Sequence, residues 1–382
     1  MKILITTDIF FVKTNGVYIS VRNLCGELEK DGHEVKILTI SQNKRSRREG
    51  NTYYIRSVSL ERVYPGVRMP TSYRHRLIRD LIQWKPDVIH SQCEFFTFQY
   101  AKRIARHTGA PIVHTYHSLY EQYFPYLLPS RALGDKVVST FSRVRLKNAK
   151  CVIAPTRKVE VALRGYGLNT PIRIVPSGID LTQHSKQITK EDRNILRSNL
   201  GITQDQFVLL SLGRLGIEKN VDELIRLFAE ARKHHENIIF LIVGDGPART
   251  SLELLCTELK LIDSVKFIGM VDPANVQNYY KLSDLFVGAS TSETQGLTFV
   301  EAAANGLPLL CKDDPCLQDV LINGRNGYLF STQMEFLDAL ECIIDNIQWR
   351  ADASTASREL ARNFDKHAFG ESVEAIYESL VK

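Results

Sequence analysis

The chain contains no uninterrupted run of about 18 apolar residues, so no segment is expected to cross a bilayer as a helix. Its opening MKILITTD lacks a basic-then-apolar leader and a small-residue cleavage site, so it reads as a buried strand and not as a secretory signal. Cysteine is scarce: Cys25, Cys93, Cys151, Cys256, Cys311, Cys316 and Cys342 are seven scattered thiols without C-x2-C spacing. That excludes a disulfide scaffold and a cysteine zinc site, and points to core thiols in a reducing compartment. With 44% hydrophobic, 24% charged and 9% aromatic residues, the composition also excludes disordered and fibrous classes.

At 382 residues the chain exceeds the roughly 250–300 that one core supports, so two domains are expected. A proline-glycine stretch at Pro176-Ser177-Gly178 marks the division. Residues 1–176 carry 29 Lys and Arg against 13 Asp and Glu, a net of +16; residues 177–382 carry 20 against 30, a net of −10. One half is therefore suited to an anionic surface, which speaks to partners and not to fold.

Short apolar runs of strand character fall at residues 3–7, 35–40, 88–91, 112–115, 152–154 and 172–175. Between them lie helical periodicities, such as Val17, Val21, Leu24 and Leu28, or Phe98, Ala101, Ile104 and Ala105. The second half repeats the alternation, with strands at 207–212, 238–243, 265–268, 285–287 and 307–310 and helices at about 221–234, 248–260, 273–282 and 297–305. Uniformly apolar strands separated by amphipathic helices predict parallel sheets covered on both faces. The expected class is α/β: two doubly wound Rossmann-like domains, 1–176 and 177–365, facing across a cleft beyond the strands' carboxyl ends. Residues 366–382 form a closing helix that packs on either domain, a crossing back to the first included.

Two segments carry chemistry in the second half. Gly213-Arg214-Leu215-Gly216-Ile217-Glu218-Lys219-Asn220 follows a strand and opens a helix, where backbone N–H groups and the helix dipole favour an anion such as a diphosphate. Glu293-Thr294-Gln295-Gly296-Leu297-Thr298-Phe299-Val300-Glu301 places two carboxylates around a strand-to-helix turn. Glu293, in the loop, is placed to reach a sugar ring; Glu301, two turns into the helix, is placed to accept from vicinal hydroxyls such as those of a ribose. Gly296 lets backbone approach a ligand, and the N–H groups of Leu297 and Thr298 point at phosphate. In the first half, Gly16 in Lys13-Thr14-Asn15-Gly16-Val17 serves equally as a phosphate-approaching glycine or an ordinary turn residue. In His114-Thr115-Tyr116-His117, at a strand end, His117 begins the loop and is expected to face the cleft, whereas His114 points to the opposite face.

Taken with Val243-Gly244-Asp245-Gly246-Pro247, these segments resemble the retaining nucleotide-sugar glycosyltransferases of family 4, which have the two-Rossmann GT-B fold. The resemblance spans nearly the whole chain. HTYHSLYEQY (114–123), APTRKV (154–159), PSGID (176–180) and SETQGLTFVEAAANGLPLL look most like the bacterial diacylglycerol and glycosyl-diacylglycerol glucosyltransferases. It implies that Arg214 and Lys219 bind a donor diphosphate, Glu301 the ribose and Glu293 the transferred sugar. It also implies that Gly16 lies beside the phosphates, His117 near the donor sugar and Met270 near the base. Gln295 is counted with the donor-binding segment, and His117, Glu293, Arg214 and Lys219 with the catalytic set. Lys312-Asp313-Asp314-Pro315 departs from the small residues many members have there, which puts the nearby cleft wall in doubt.

No D-x-D motif stands at a strand end, so metal-independent transfer without a cofactor is expected, UDP-hexose being the donor substrate. No nucleophile is evident near His117, and the resemblance implies attack by the acceptor on the face from which UDP leaves. Basic residues cluster at Lys44-Arg45-Ser46-Arg47-Arg48, at Arg68, Arg74, Arg76 and Arg79, and at Arg131, Arg143, Arg145, Lys147 and Lys150. Tyr120, Tyr123, Phe124, Tyr126, Leu127 and Leu128 precede the last cluster. Cations and interfacial aromatics together predict peripheral attachment to an anionic leaflet from the cytoplasmic side, with a lipid acceptor. The rival readings are a family 4 enzyme with a soluble or polymer acceptor and a basic nucleic-acid-binding protein; no nucleic-acid motif accompanies the charge, so no nucleic-acid partner is expected.

Overall fold

In each half of the chain, successive residues of the apolar strands point to alternate faces, and each face meets its own set of helices. The computed structural model describes residues 1–8, 10, 15–43, 45–59, 68–119, 131–184 and 188–381, the side chains of 131–133 and 135 excepted. It divides into unit 1, Met1–Gly178 with Lys366–Lys382, and unit 2, Ile179–Asp365.

Unit 1 holds β1 (Lys2–Thr7), β2 (Glu34–Ile40), β3 (Arg47–Glu49), β4 (Thr52–Ile55), β5 (Ser57–Ser59), β6 (Arg68–Pro70), β7 (Val88–Ser91), β8 (Ile112–Thr115), β9 (Cys151–Ala154) and β10 (Ile172–Ile174). Its helices are α1 (Gly16–Lys30), α2 (Arg76–Trp84), α3 (Phe96–Thr108), α4 (Arg131–Leu146), α5 (Arg157–Gly165) and the chain-closing α14 (Lys366–Val381). The main sheet runs β10-β9-β8-β7-β1-β2-β4-β3 and is parallel except for β3, which pairs antiparallel with β4; β5 and β6 form a separate ribbon. Ile3, Ile5, Val88, Val113 and Ile153 bury against Val21, Leu24 and Leu28 of α1 and Phe369, Val373 and Tyr377 of α14. Leu4, Ile89, Ile112 and Val152, one residue out of phase, bury against α2, α3 and α5. This is the covered parallel sheet expected, edged by short polar strands whose sequences carry too few apolar residues to stand out.

Unit 2 holds α6 (Leu181–His184), α7 (Lys190–Asn199), β11 (Phe207–Leu212), α8 (Val221–Ala231), β12 (Ile238–Val243), α9 (Arg249–Glu258), β13 (Val265–Gly269), α10 (Val276–Leu282), β14 (Leu285–Gly288), α11 (Leu297–Ala304), β15 (Leu309–Lys312), β16 (Gly327–Phe330), α12 (Gln333–Asp345) and α13 (Ile347–Ala361). Its parallel sheet runs β13-β12-β11-β14-β15-β16. The phase split recurs: Phe240, Ile242, Leu285 and Val287 face α8, α9 and α12, while Leu241, Val243 and Phe286 face α10 and α11. The strand expected at 307–310 begins two residues later. Gly306, at φ 80°, ends α11, and Leu307 N–H closes that helix on Ala302 O at 3.0 Å. Pro308 then lends only its carbonyl to the sheet, accepting from Phe286 N–H at 3.0 Å.

Candidate active site

At the carboxyl edge of unit 2, three loops after parallel strands are joined backbone to backbone, and a fourth is tied in by a side chain. Gly213 N–H donates to Val243 O at 3.0 Å, Leu215 N–H to Asp245 O at 3.0 Å, Ala248 N–H to Leu215 O at 2.9 Å and Gly244 N–H to Gly269 O at 2.9 Å. Glycine is required at Gly244, where φ is 128° and a Cβ would overlap the Gly213 carbonyl. The fourth loop is tied in by Asn220, itself left-handed at φ 51°, whose side-chain amide donates to Ala289 O at 3.0 Å.

On this frame Lys219 Nζ and Glu293 Oε1 form an ion pair at 2.5 Å, 74 residues apart in sequence. Arg214 pairs with Glu218, a carboxylate the sequence reading left without a role. Lys219 closes a single 3-10 turn (Ile217–Lys219) before α8, so the segment does not open directly into the helix as expected; Asp222 and Glu223 occupy that helix's first turn. Both cations thus meet carboxylates here.

Gly296, left-handed at φ 71° and buried, turns the chain into α11, whose first residues are Leu297 and Thr298. A Cβ on Gly296 would overlap the Phe299 ring, so the tight turn needs glycine. Gln295 is buried beside it. About one turn into α11, Glu301 accepts from the Tyr280 hydroxyl at 2.8 Å. Burial pushes the Glu301 carboxyl up to about 7, with the Tyr280 bond opposing the rise. Tyr280, fully buried on α10, is a second residue the sequence reading missed; only its burial-driven contact with Glu301 distinguishes it. Met270 follows β13 with 63% of its surface exposed.

In unit 1, Gly16 is the exposed first residue of α1, and Asn15 caps the helix by accepting from Val17 N–H at 2.8 Å. Lys13 and Thr14 lie outside the described residues. His117 follows β8, half-buried, with Nε2 2.7 Å from Gln92 Oε1. Burial, with His114 nearby, lowers its pKa to about 3, so the ring is neutral at physiological pH. His114 is fully buried and bonded to the buried Glu94 at 3.0 Å.

Among the basic clusters, Arg143, Lys147 and Lys150 are exposed and Arg145 lies over the Phe141 ring at 5.1 Å. A groove of about 550 Å³ on α4 is lined by Lys136, Val137, Thr140, Phe141, Val144 and Arg145, with Val137 and Val144 exposed. The Arg131 side chain, Lys44 and the aromatic and aliphatic residues 120–128 lie outside what is described. Arg47 and Arg48 instead stack on Tyr54 and Tyr53, serving the sheet edge. Among the described residues no group of three or more His, Cys, Asp or Glu is gathered as a metal site, and no helix is long and apolar enough to cross a membrane.

Comparison with known proteins follows the same division. The family model "Glycosyltransferase Family 4" matches residues 14–183, and "Glycosyl transferases group 1" matches residues 192–360. The alpha-monoglucosyldiacylglycerol synthase of Streptococcus pneumoniae is 34% identical over 90% of this chain and 78% of its own length. That of Acholeplasma laidlawii is 30% identical over 100% of this chain and 98% of its own. In fold, the chain is similar over its full length to Anabaena HepE in complex with UDP and glucose, with a TM-score of 0.78 at 18% identity and all of that chain covered. A sucrose-phosphate synthase from Thermosynechococcus elongatus gives a TM-score of 0.80 at 21% identity, covering 100% of this chain and 99% of its own.

Proposed function

The chain belongs to the family 4 glycosyltransferases, with the GT-B fold, and from that membership we propose that it moves glucose from UDP-glucose to a diacylglycerol at a membrane surface. The observation that carries this reading is near-full-length similarity, at 34% and 30% identity, to two proteins named as alpha-monoglucosyldiacylglycerol synthases. UDP-glucose is an α-glycoside, so an α-glucolipid product means retention at the anomeric carbon.

Arg214 and Lys219 hold the diphosphate, Glu301 accepts from the ribose hydroxyls, and Met270 lies against the base. Glu293 and the Gln295–Thr298 backbone hold the sugar, with Gly16 and His117 contributing from unit 1. Cations and N–H groups fixed before the reaction stabilise charge as it develops on the departing UDP, which costs no reorganisation in the transition state. Lys219 is fixed in this way by Glu293. The glycerol hydroxyl attacks on the face UDP leaves, and a phosphate oxygen of the leaving group takes its proton. The chain contributes position and electrostatics, and no side chain forms a covalent intermediate. Turnover is expected to survive chelation of divalent ions.

The acceptor is held at a leaflet. α4 presents exposed valines flanked by Lys136, Arg143, Arg145 and Lys147, the combination that suits an anionic lipid surface. The enzyme then works as a peripheral protein on the cytoplasmic face of the membrane. The test is incubation with separate UDP-sugars and with diacylglycerol or glucosyl-diacylglycerol on anionic vesicles, the product identified by mass and anomeric configuration. An α-glucosyl lipid from UDP-glucose is expected; transfer to soluble acceptors that ignores vesicles, or nucleic-acid binding without sugar transfer, would overturn the reading.

A further inference from the structure

Gln92 follows β7, the strand beside β1 in the middle of the unit 1 sheet, and is 2% exposed. Its backbone is fixed, since Gln92 N–H donates to Thr6 O at 2.8 Å. One end of its carboxamide is also fixed, because Oε1 meets His117 Nε2 at 2.7 Å. The other end, Nε2, is buried and has no hydrogen-bond partner among the described residues. A buried amide donor left unmade is costly, and a glutamine that only oriented His117 would gain nothing from it. Gln92 is not isolated in this: among the described residues, Thr6 Oγ1 and His114 Nδ1 are likewise buried without partners. These atoms lie on β1 and β8, around the carboxyl end of the sheet where a doubly wound domain receives its ligand. Of the three, Gln92 alone is bonded directly to a residue of the proposed site.

We propose that Gln92 contacts the substrate, its Nε2–H donating to a hydroxyl oxygen of the molecule bound at this edge while Oε1 holds the His117 ring. This rests on the glycosyl-transfer reading, and the hydroxyl belongs to the acceptor glycerol or to the sugar. The Gln92→Met and Gln92→Glu variants separate contact from support. Methionine matches glutamine in size and has no donor. Glutamate still accepts from His117 Nε2–H but offers no N–H to a ligand.

The wild-type enzyme is first assayed for the sugar nucleotide it uses, which judges the reading itself, and the variants are then compared with that donor. Both variants are expected to lose about tenfold in kcat/KM, the worth of one neutral hydrogen bond in the transition state. A rise confined to the acceptor KM places the hydroxyl on glycerol; a rise confined to the donor KM places it on the sugar. Wild-type kinetics in both variants would overturn the proposal. So would wild-type kinetics in Gln92→Glu with loss in Gln92→Met, because Gln92 would then only hold His117. The melting temperature of Gln92→Met is expected to match the wild type, since an unmade donor is removed with it. A large fall would mean that the amide is satisfied inside the protein, and would also overturn the proposal.

Discussion

Glu301 and its neighbour Tyr280 set a pH dependence that belongs to single residues. The proposed ribose-binding role requires the ionised carboxylate, and burial holds this group near 7. UDP affinity measured by calorimetry should therefore rise as pH climbs through about 7. Tyr280→Phe removes the bond that lowers the pKa, so the midpoint should move to higher pH; Glu301→Gln should flatten the curve. A wild-type affinity independent of pH across this window would refute the assignment. Stability runs the other way. The folded-state pKa lies above the unfolded value, so the contribution is complete at low pH and is lost as pH rises through about 7. Glu301→Gln, neutral throughout, should melt above the wild type at alkaline pH and beside it in acid. The Lys219–Glu293 pair carries a second prediction: Lys219→Ala and Glu293→Ala should each lower kcat by ~10²–10³ while circular dichroism stays native. Turnover at the wild-type rate in either would remove that residue from the donor site. The sequence singled out the segments of Glu293 and Lys219 but not their pairing, because nothing in a linear sequence reports a contact across 74 residues.

The joining of the donor loops is a property of the elements. Gly213-Arg214-Leu215-Gly216 after β11 and Gly244-Asp245-Gly246 after β12 approach so closely that a side chain at Gly244 has no room. Gly244→Ala should destabilise unit 2 by ~2 kcal/mol or more, read as a fall in melting temperature, and should weaken UDP binding through displacement of Arg214. A variant with unchanged melting would mean that the loops yield readily. The central strands were legible because each buries two faces and so shows as an unbroken apolar run. β3 to β6 and β16 were not, since short strands at or next to a sheet edge, such as Thr-Tyr-Tyr-Ile in β4 with alternate residues buried, leave a short and mixed pattern. Helix α14 was legible as a helix, but its destination was not. Phe369, Val373 and Tyr377 complete the core between α1 and the unit 1 sheet, and the Tyr377 hydroxyl meets the buried His90 Nδ1 at 2.5 Å.

Charge acts over the whole molecule. With α14 counted where it packs, unit 1 carries 31 Lys and Arg against 16 Asp and Glu, and unit 2 carries 18 against 27. The polarity expected from the linear halves is thus kept at +15 and −9. If unit 1 attaches to an anionic leaflet, vesicle binding should increase with anionic lipid content and fall with added salt, as attraction screened over ~8 Å requires. Replacing Arg143, Arg145, Lys147 and Lys150 together by glutamine should weaken vesicle sedimentation while UDP affinity stays near wild type, because the donor cations Arg214 and Lys219 belong to unit 2. Equal loss of both, or of neither, would contradict the assignment of this surface.

Sequence by itself determined the two α/β units and the charge polarity, and it singled out the segments proposed to carry the donor chemistry. Each of these is local: apolar period, glycine in a strand-end turn and net charge over a stretch survive without knowledge of neighbours. Tertiary structure alone decided that Tyr280 meets Glu301, that Glu218 engages Arg214, that Gln92 holds His117 with one end of its amide and leaves the other unmade, and that α14 closes unit 1. Those outcomes depend on which side chains burial brings together from distant strands, and burial is a property of the packed sheet that no single segment contains.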